Sequence, residues 1–167
     1  MTWKDDFIKY AEEQAPDEAC GLVAIVEGKE IFWPCKNIAE DQFEFFALDP
    51  EDWAECEDKG GEILGVVHSH PTGSSEPSDG DKASSEYVGY PYHIYSIEHK
   101  SWNIVKPSGW KAPSLIGRRW VWGQQDCWTV VCDWFKETKN IDIPYWHRPK
   151  SIKSFLNSPE FQYALPK

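Results

Sequence analysis

The sequence predicts an α+β fold, a sheet flanked by helices, on three observations. Short apolar runs of strand length recur along the first two thirds of the chain, helical periodicity lies between several of them, and two strand pairs are joined by tight polar turns. Residues 3–15 set Trp3, Phe7, Ile8, Tyr10 and Ala11 at helical spacing with charges between them, an amphipathic helix that Pro16 ends. Gly21 to Gly28 is a strongly apolar strand closing in a glycine turn, and Glu30 to Cys35 returns as its hairpin partner. Phe43 to Phe46 is expected as another strand. Asp49 and Pro50 then open an acidic helix to about Lys59, with Asp49 as cap and Pro50 at the first helical position. Glu62 to Ser69 has the composition of a buried strand, and a loop rich in Pro, Gly and Ser follows at residues 71–80. A helix is expected from about Ser78 to Val88, and Tyr92–Ile97 with Ser101–Val105 make a second hairpin.

The chain has 167 residues with 17 Lys+Arg against 28 Asp+Glu, a formal charge of −11. A nucleic-acid binder gains affinity by neutralising phosphates with basic side chains, so this balance opposes a nucleic-acid partner. The charge is also unevenly placed. Residues 1–113 hold 9 basic and 23 acidic side chains (−14), whereas residues 114–167 hold 8 and 5 (+3). The step falls at a segment with two prolines, a glycine and no periodicity, read as a linker over residues 107–116 between units at 1–106 and 117–167. No apolar run reaches the roughly 18 residues of a membrane span, and the first residues lack the pattern of a signal peptide. Five cysteines without a CxxC pair are expected as reduced thiols.

Chemistry concentrates in the stretch from His68 to Asp81. Two histidines at i and i+2 leaving a strand point to one face and can share one borderline-soft cation. Asp81, returned by the next loop, supplies a third ligand and leaves the fourth tetrahedral position open. That openness marks catalytic zinc, whose bound water has its pKa lowered to about 7. Ser78, three residues before Asp81, either caps the following helix or also donates to an oxyanion beside the metal. His93 and His99 do not fit the ligand spacing and are read as structural or exposed.

The full pattern, His-x-His-x(7)-Ser-x-x-Asp with Pro71 and Pro77 inside it, resembles the zinc motif of the JAMM/MPN+ metalloproteases, which include deubiquitinating isopeptidases. The resemblance covers roughly residues 3–106 and implies an α/β/α, cytidine-deaminase-like fold with Zn2+ held by His68, His70 and Asp81 and an oxyanion assisted by Ser78. It also implies a general base. Pro16-Asp-Glu-Ala-Cys-Gly-Leu22 is similar to the family's Pro-x-Glu-x-Cys-Gly segment and puts that base at Glu18, with Cys20 as a small packing residue.

Beyond the linker, Arg118–Trp122 is expected as an extended lead-in to a helix from Asp126 to about Lys139, with Val130, Val131, Trp134 and Phe135 on one face. Cys127 at its first position meets unpaired N–H groups and the positive helix end, which favour a nucleophilic thiolate; Cys132 reads as packing. The string from Trp122 to Cys127 resembles the start of NlpC/P60 cysteine peptidases, which cleave peptidoglycan stem peptides. Their histidine lies on a strand well beyond the helix, and the one histidine after Cys127 here is His147, in a loop-like context, so the papain-like unit is read as partial.

The order of the two units resembles that in tail assembly proteins of lambda-like siphophages. This implies other phage tail-tip proteins and host peptidoglycan peptides as partners, with residence in the host cytoplasm during assembly and at the virion tail tip. Two readings remain open: a zinc peptidase of the tail tip, or a structural tail-tip subunit that uses zinc for folding or docking. The 10 Trp, among them Trp110, Trp120 and Trp122 near the linker, motivate the second, because aromatics anchor interfaces. A cellular isopeptidase of the same fold is disfavoured by the residues after 117.

Overall fold

The computed structural model describes residues 2–112, 115–118, 120–121 and 125–144. The chain divides into two compact units, Met1–Gly109 and Trp110–Lys167, a division that falls inside the segment 107–116.

The first unit opens with α1 (Trp3–Gln14), where Thr2 and Asp5 form a capping box. It continues through β1 (Cys20–Val26), β2 (Lys29–Cys35), α2 (Pro50–Asp58), β3 (Glu62–His70), α3 (Asp79–Val88), β4 (Tyr92–Ser96) and β5 (Ser101–Val105). The five strands make one mixed sheet in the order β2-β1-β3-β4-β5. All neighbours are antiparallel except β3 and β4, which run parallel and are joined by a crossover through α3. This is the expected α+β architecture.

The two faces of the sheet are buried by different means. On one, Phe7 and Ala11 of α1 pack on Ala19, Val23, Val67 and Tyr95, with Phe32 and Trp102 at the margin. Gly21 belongs to this face because there is room for nothing larger: a Cβ there would lie 2.3 Å from the Trp33 carbonyl oxygen and 2.5 Å from the Phe32 ring. On the other, Leu22, Ala24, Val66 and Tyr92 pack with Cys35, Cys56, Phe46, Trp33 and Trp53. Strand alternation puts His68 and His70 of β3 on this second face with Val66.

The strand expected at Phe43–Phe46 is absent. Residues 41–44 form a turn, and only an isolated bridge joins Asn37 to Leu48. The Asn37 side chain takes the place of a ladder: its Oδ1 accepts from the Ala39 and Ala47 N–H groups, and its Nδ2 donates to the Phe45 carbonyl. The apolar residues then diverge, Phe43 and Phe45 to solvent and Phe46 inward.

In the second unit, α4 (Cys127–Lys139) starts at Asp126, whose carboxylate accepts from the Trp128 and Thr129 N–H groups. The helix exists as expected, but its buried line differs. Thr129 and Cys132 are buried, whereas Val131 and Trp134 are exposed. Thr129 turns inward because its hydroxyl donates to the Asp126 carbonyl, and Arg118 pairs with Asp133 one turn on. Of the expected lead-in 118–122, residues 119 and 122 lie outside the described residues, as does His147. Among the described residues no helix is long and apolar enough to cross a membrane.

Candidate metal centre

Strand β3 delivers two imidazoles to one face, and the first turn of α3 delivers a carboxylate against them. Ser78 is the N-cap of α3: its hydroxyl accepts from the Asp81 N–H at 3.1 Å, and its own N–H donates to Asp81 Oδ2 at 2.7 Å. This capping box fixes the Asp81 rotamer, so that Oδ1 lies 3.1 Å from His68 Nε2 and Oδ2 lies 3.7 Å from His70 Nε2. The two Nε2 atoms are 3.3 Å apart, and one ligand atom from each residue falls within 4.8 Å of the others.

Each imidazole is held differently. His68 is fully buried, with the Phe46 ring stacked on it at 4.3 Å and Tyr92 edge-on at 6.0 Å. His70 is partly open, and its Nδ1 lies 2.8 Å from the Ser74 carbonyl oxygen. A carbonyl only accepts, so Nδ1 donates and the neutral ring turns a bare Nε2 lone pair toward the cluster. His68 Nδ1 is buried without a hydrogen-bond partner. One proton on His68 therefore cannot satisfy both its own ring and the lone pairs of His70 and Asp81 around it. A cation between the three atoms satisfies them together, and two imidazole nitrogens with one carboxylate suit zinc with one position left open.

In the metal-free cluster the electrostatics keep Asp81 ionised, as a ligand must be, and favour a proton on His70 that a metal would displace. Burial works against ionised Asp81, but the charge of the His68 ring and the hydrogen bonds from His68 and Ser78 outweigh it and hold the carboxyl well below its ordinary range. Burial likewise opposes a charged His70, yet nearby Asp81, the bond to the Ser74 carbonyl and the charge of Glu18 raise its pKa.

Glu18 precedes β1 and is half-buried. Cys20 pairs with His68, and the next pair is joined by the Ser69 N–H donating to the Ala19 carbonyl. Extended by one more pair, that register would set Glu18 opposite His70, and the Glu18 charge does help raise the His70 pKa. Its main chain is clamped on both sides: the Glu18 N–H donates to the Gln42 carbonyl at 2.7 Å, and Asn37 Nδ2 donates to the Glu18 carbonyl at 2.9 Å. Glu18 also borders a depression of about 290 Å³ with Tyr10, Lys36 and Gln42; none of the three cluster residues lines it. Cys20 is fully buried, and burial pushes its thiol up, an inert packing residue. Sequence reasoning missed Phe46, Asn37 and Ser74. The apolar run Phe43–Phe46 was the sole signal for the first; the other two act through contacts that no local pattern announces.

Cys127 is exposed at the first position of α4, in the second unit, and is not part of this cluster. His93 lies on β4 beside Trp3, and His99 in the following turn; neither joins the cluster.

The chain has relatives among known proteins. The chain is 36% identical over 149 residues to tail tip assembly protein K of Escherichia phage N15, covering 85% of this chain and 60% of that protein. It is 32% identical over 104 residues to tail tip assembly protein K of Escherichia phage lambda, covering 60% of this chain and 47% of that protein. The desampylase of Haloferax volcanii is 30% identical over 104 residues, with 56% of this chain and 75% of that protein covered. A solution structure from Desulfitobacterium hafniense matches with a TM-score of 0.50 at 25% identity, covering 61% of this chain and 76% of its own. The chain thus spans less than two thirds of the length of either phage protein. The model of the Prok-JAB family matches residues 2–106, the whole of the sheet that carries the cluster, and the chain belongs to these prokaryotic homologs of the JAB domain.

Proposed function

We propose that residues 1–106 form a zinc-dependent peptidase domain of isopeptidase type within a phage tail-tip assembly protein. One observation carries the reading: His68, His70 and Asp81 converge within 4.8 Å in a set that fits zinc with an open position. Zinc bound there supplies Lewis acidity and an activated water. Glu18 takes a proton from the attacking water and returns it to the leaving amine. Ser78 Oγ accepts from the Asp81 N–H, which leaves its own proton free to donate to a developing oxyanion. A relative named for an enzymatic activity, the desampylase, supports hydrolysis; the two phage relatives support other tail-tip proteins as partners and the virion tail tip as location, with assembly placed in the host cytoplasm as part of the same proposal.

In the second unit, residues 117–167 are read as the start of a peptidoglycan-hydrolase-like segment with Cys127 as nucleophile, acting on host peptidoglycan peptides. The exposed thiol at a capped helix start supports this part.

The test uses the full chain. Elemental analysis is expected to give one zinc per chain, and co-expressed tail proteins are expected to be cleaved by wild type but not by Glu18→Gln. Equal cleavage by the two would sink the catalytic reading. A docking role for the domain is favoured by exposed Phe43 and Phe45 on the loop tied to Glu18. It predicts that Glu18→Gln keeps zinc and still assembles tails, whereas Phe43→Ser does not.

A further inference from the structure

We propose that Ser96 and Glu98 are positioning residues for the metal centre, fixing the loop whose Ser74 carbonyl holds His70 in the tautomer that turns Nε2 toward the metal. The inference rests on the reading of His68, His70 and Asp81 as a zinc site.

Ser74 sits in the loop 71–78 that links β3 to α3, and the residue itself is exposed. An acceptor on such a loop orients a ring well only if the loop is fixed, because otherwise ordering it is charged against the bond it makes. The fixing comes from the neighbouring end of β4 and the turn after it. Strands β3 and β4 run parallel with His70 opposite Ser96, and the Ile97 N–H donates to the His70 carbonyl at 3.0 Å. From there the chain turns back over the loop. The buried Ser96 hydroxyl accepts from the His99 N–H at 3.0 Å, which aims its own proton at the Gly73 carbonyl, 2.6 Å away. The carboxylate of Glu98 accepts from the Gly73 N–H at 2.7 Å. Both polar groups of the Gly73 main chain are therefore held by the β4–β5 turn. On the other side of Ser74, Ser75 is buried and its hydroxyl meets that of Ser101 at 3.0 Å. Ser74 is thus suspended between two pinned residues, and its carbonyl faces His70 Nδ1 at 2.8 Å. The pins touch neither ring nor carboxylate of the cluster; they act through the loop.

Outer hydrogen bonds to a ligating histidine are worth roughly 10–100-fold in metal affinity. The expected result is zinc binding weakened about tenfold in Ser96→Ala and in Glu98→Ala. Affinity is measured by competition with a chelating dye on the full chain. Glu98 is exposed, so Glu98→Ala provides a variant that folds if burial of Ser96 makes Ser96→Ala unstable. Glu98→Gln keeps an acceptor for the Gly73 N–H and is expected to restore near-wild-type affinity. A second readout needs no metal: 15N-detected imidazole spectra of the apoprotein, at a pH high enough to keep the ring neutral, should show His70 as a single Nδ1–H tautomer in wild type and as a mixture in Glu98→Ala. The proposal is overturned if wild type takes up one equivalent of zinc and Glu98→Ala binds it equally tightly with the same His70 tautomer. If wild type takes up no zinc at this cluster, the functional reading itself falls, and this one with it.

Discussion

His93 offers a direct measurement of how the sheet was assembled around α1. It lies on β4 opposite Val67 of β3, with the Trp3 ring edge-on at 5.1 Å. Burial first, then the charges of Lys4 and Lys106, lower its pKa to about 4 from an ordinary value near 6.5. Between those values the unfolded chain binds a proton that the folded chain refuses. Stability from this residue is therefore fully present above pH 6.5 and is lost as pH falls toward 4. A shift of about 2.5 units corresponds to roughly 3 kcal/mol at most, at about 1.36 kcal/mol per unit. Lys4 and Lys106 are exposed and screened by salt, so the burial share of that figure is the part that survives in physiological buffer. In the metal-free chain His70 contributes with the opposite sign, since its raised pKa adds stability below 6.5 that disappears as pH rises through the folded value. The His93 part is isolated by comparing wild type with His93→Gln in urea melts from pH 7.5 to 4. The gap between the two proteins should shift against wild type by 1–3 kcal/mol as pH falls, about the range set above. Parallel loss of stability in both, or an NMR titration of His93 centred near 6.5, would refute the reasoning.

Three further outcomes are expected. Gly21→Ala drives a methyl into the Trp33 carbonyl, which is backbone and cannot swing aside; a loss of about 1–3 kcal/mol or more in urea melts is expected, and a neutral result would show that β2 can yield. Zinc at 100 times its dissociation constant should raise the unfolding free energy by about 2.7 kcal/mol, and EDTA should remove that gain; in Asp81→Asn both effects should vanish, and a persisting zinc response would place the ion elsewhere. Asp126→Ala deletes the acceptor for two helix N–H groups and should cost α4 about 1–2 kcal/mol, read as faster hydrogen exchange at Trp128 and Thr129.

What the sequence made legible was what depends on local period and capping. The alternation of β3 put both histidines on one face, and the Ser78-to-Asp81 spacing announced a helix start that the capping box realises. Asp49 and Pro50 marked α2 for the same reason. Phe43–Phe46 misled because its apolar run is of strand length, while the outcome was decided by one side chain outside it. Asn37 satisfies the loop main chain at four points, including Glu18, so no neighbouring strand is required. In α4 the periodic apolar residues lost to Thr129, a polar residue whose inward turn depends on the cap. Ser96 and Glu98 were invisible for a different reason: their partners lie more than 20 residues away, and an isolated Ser or Glu in a turn carries no pattern.

The two histidines of the cluster are equivalent in sequence and unequal in space, and that inequality sets the direction of access. His68 is closed off by the Phe46 ring on its face and by Tyr92 at its edge, whereas the His70 side chain keeps 16% of its surface open. Asp81 is nearly as buried as His68, being held from behind by the cap of α3. Among the described residues His70 is thus the most open of the three, and a ligand reaching the cluster meets it first. The loop gathered by Asn37 ties this packing to the segment carrying the proposed base, seating Phe46 over His68 while clamping the main chain of Glu18.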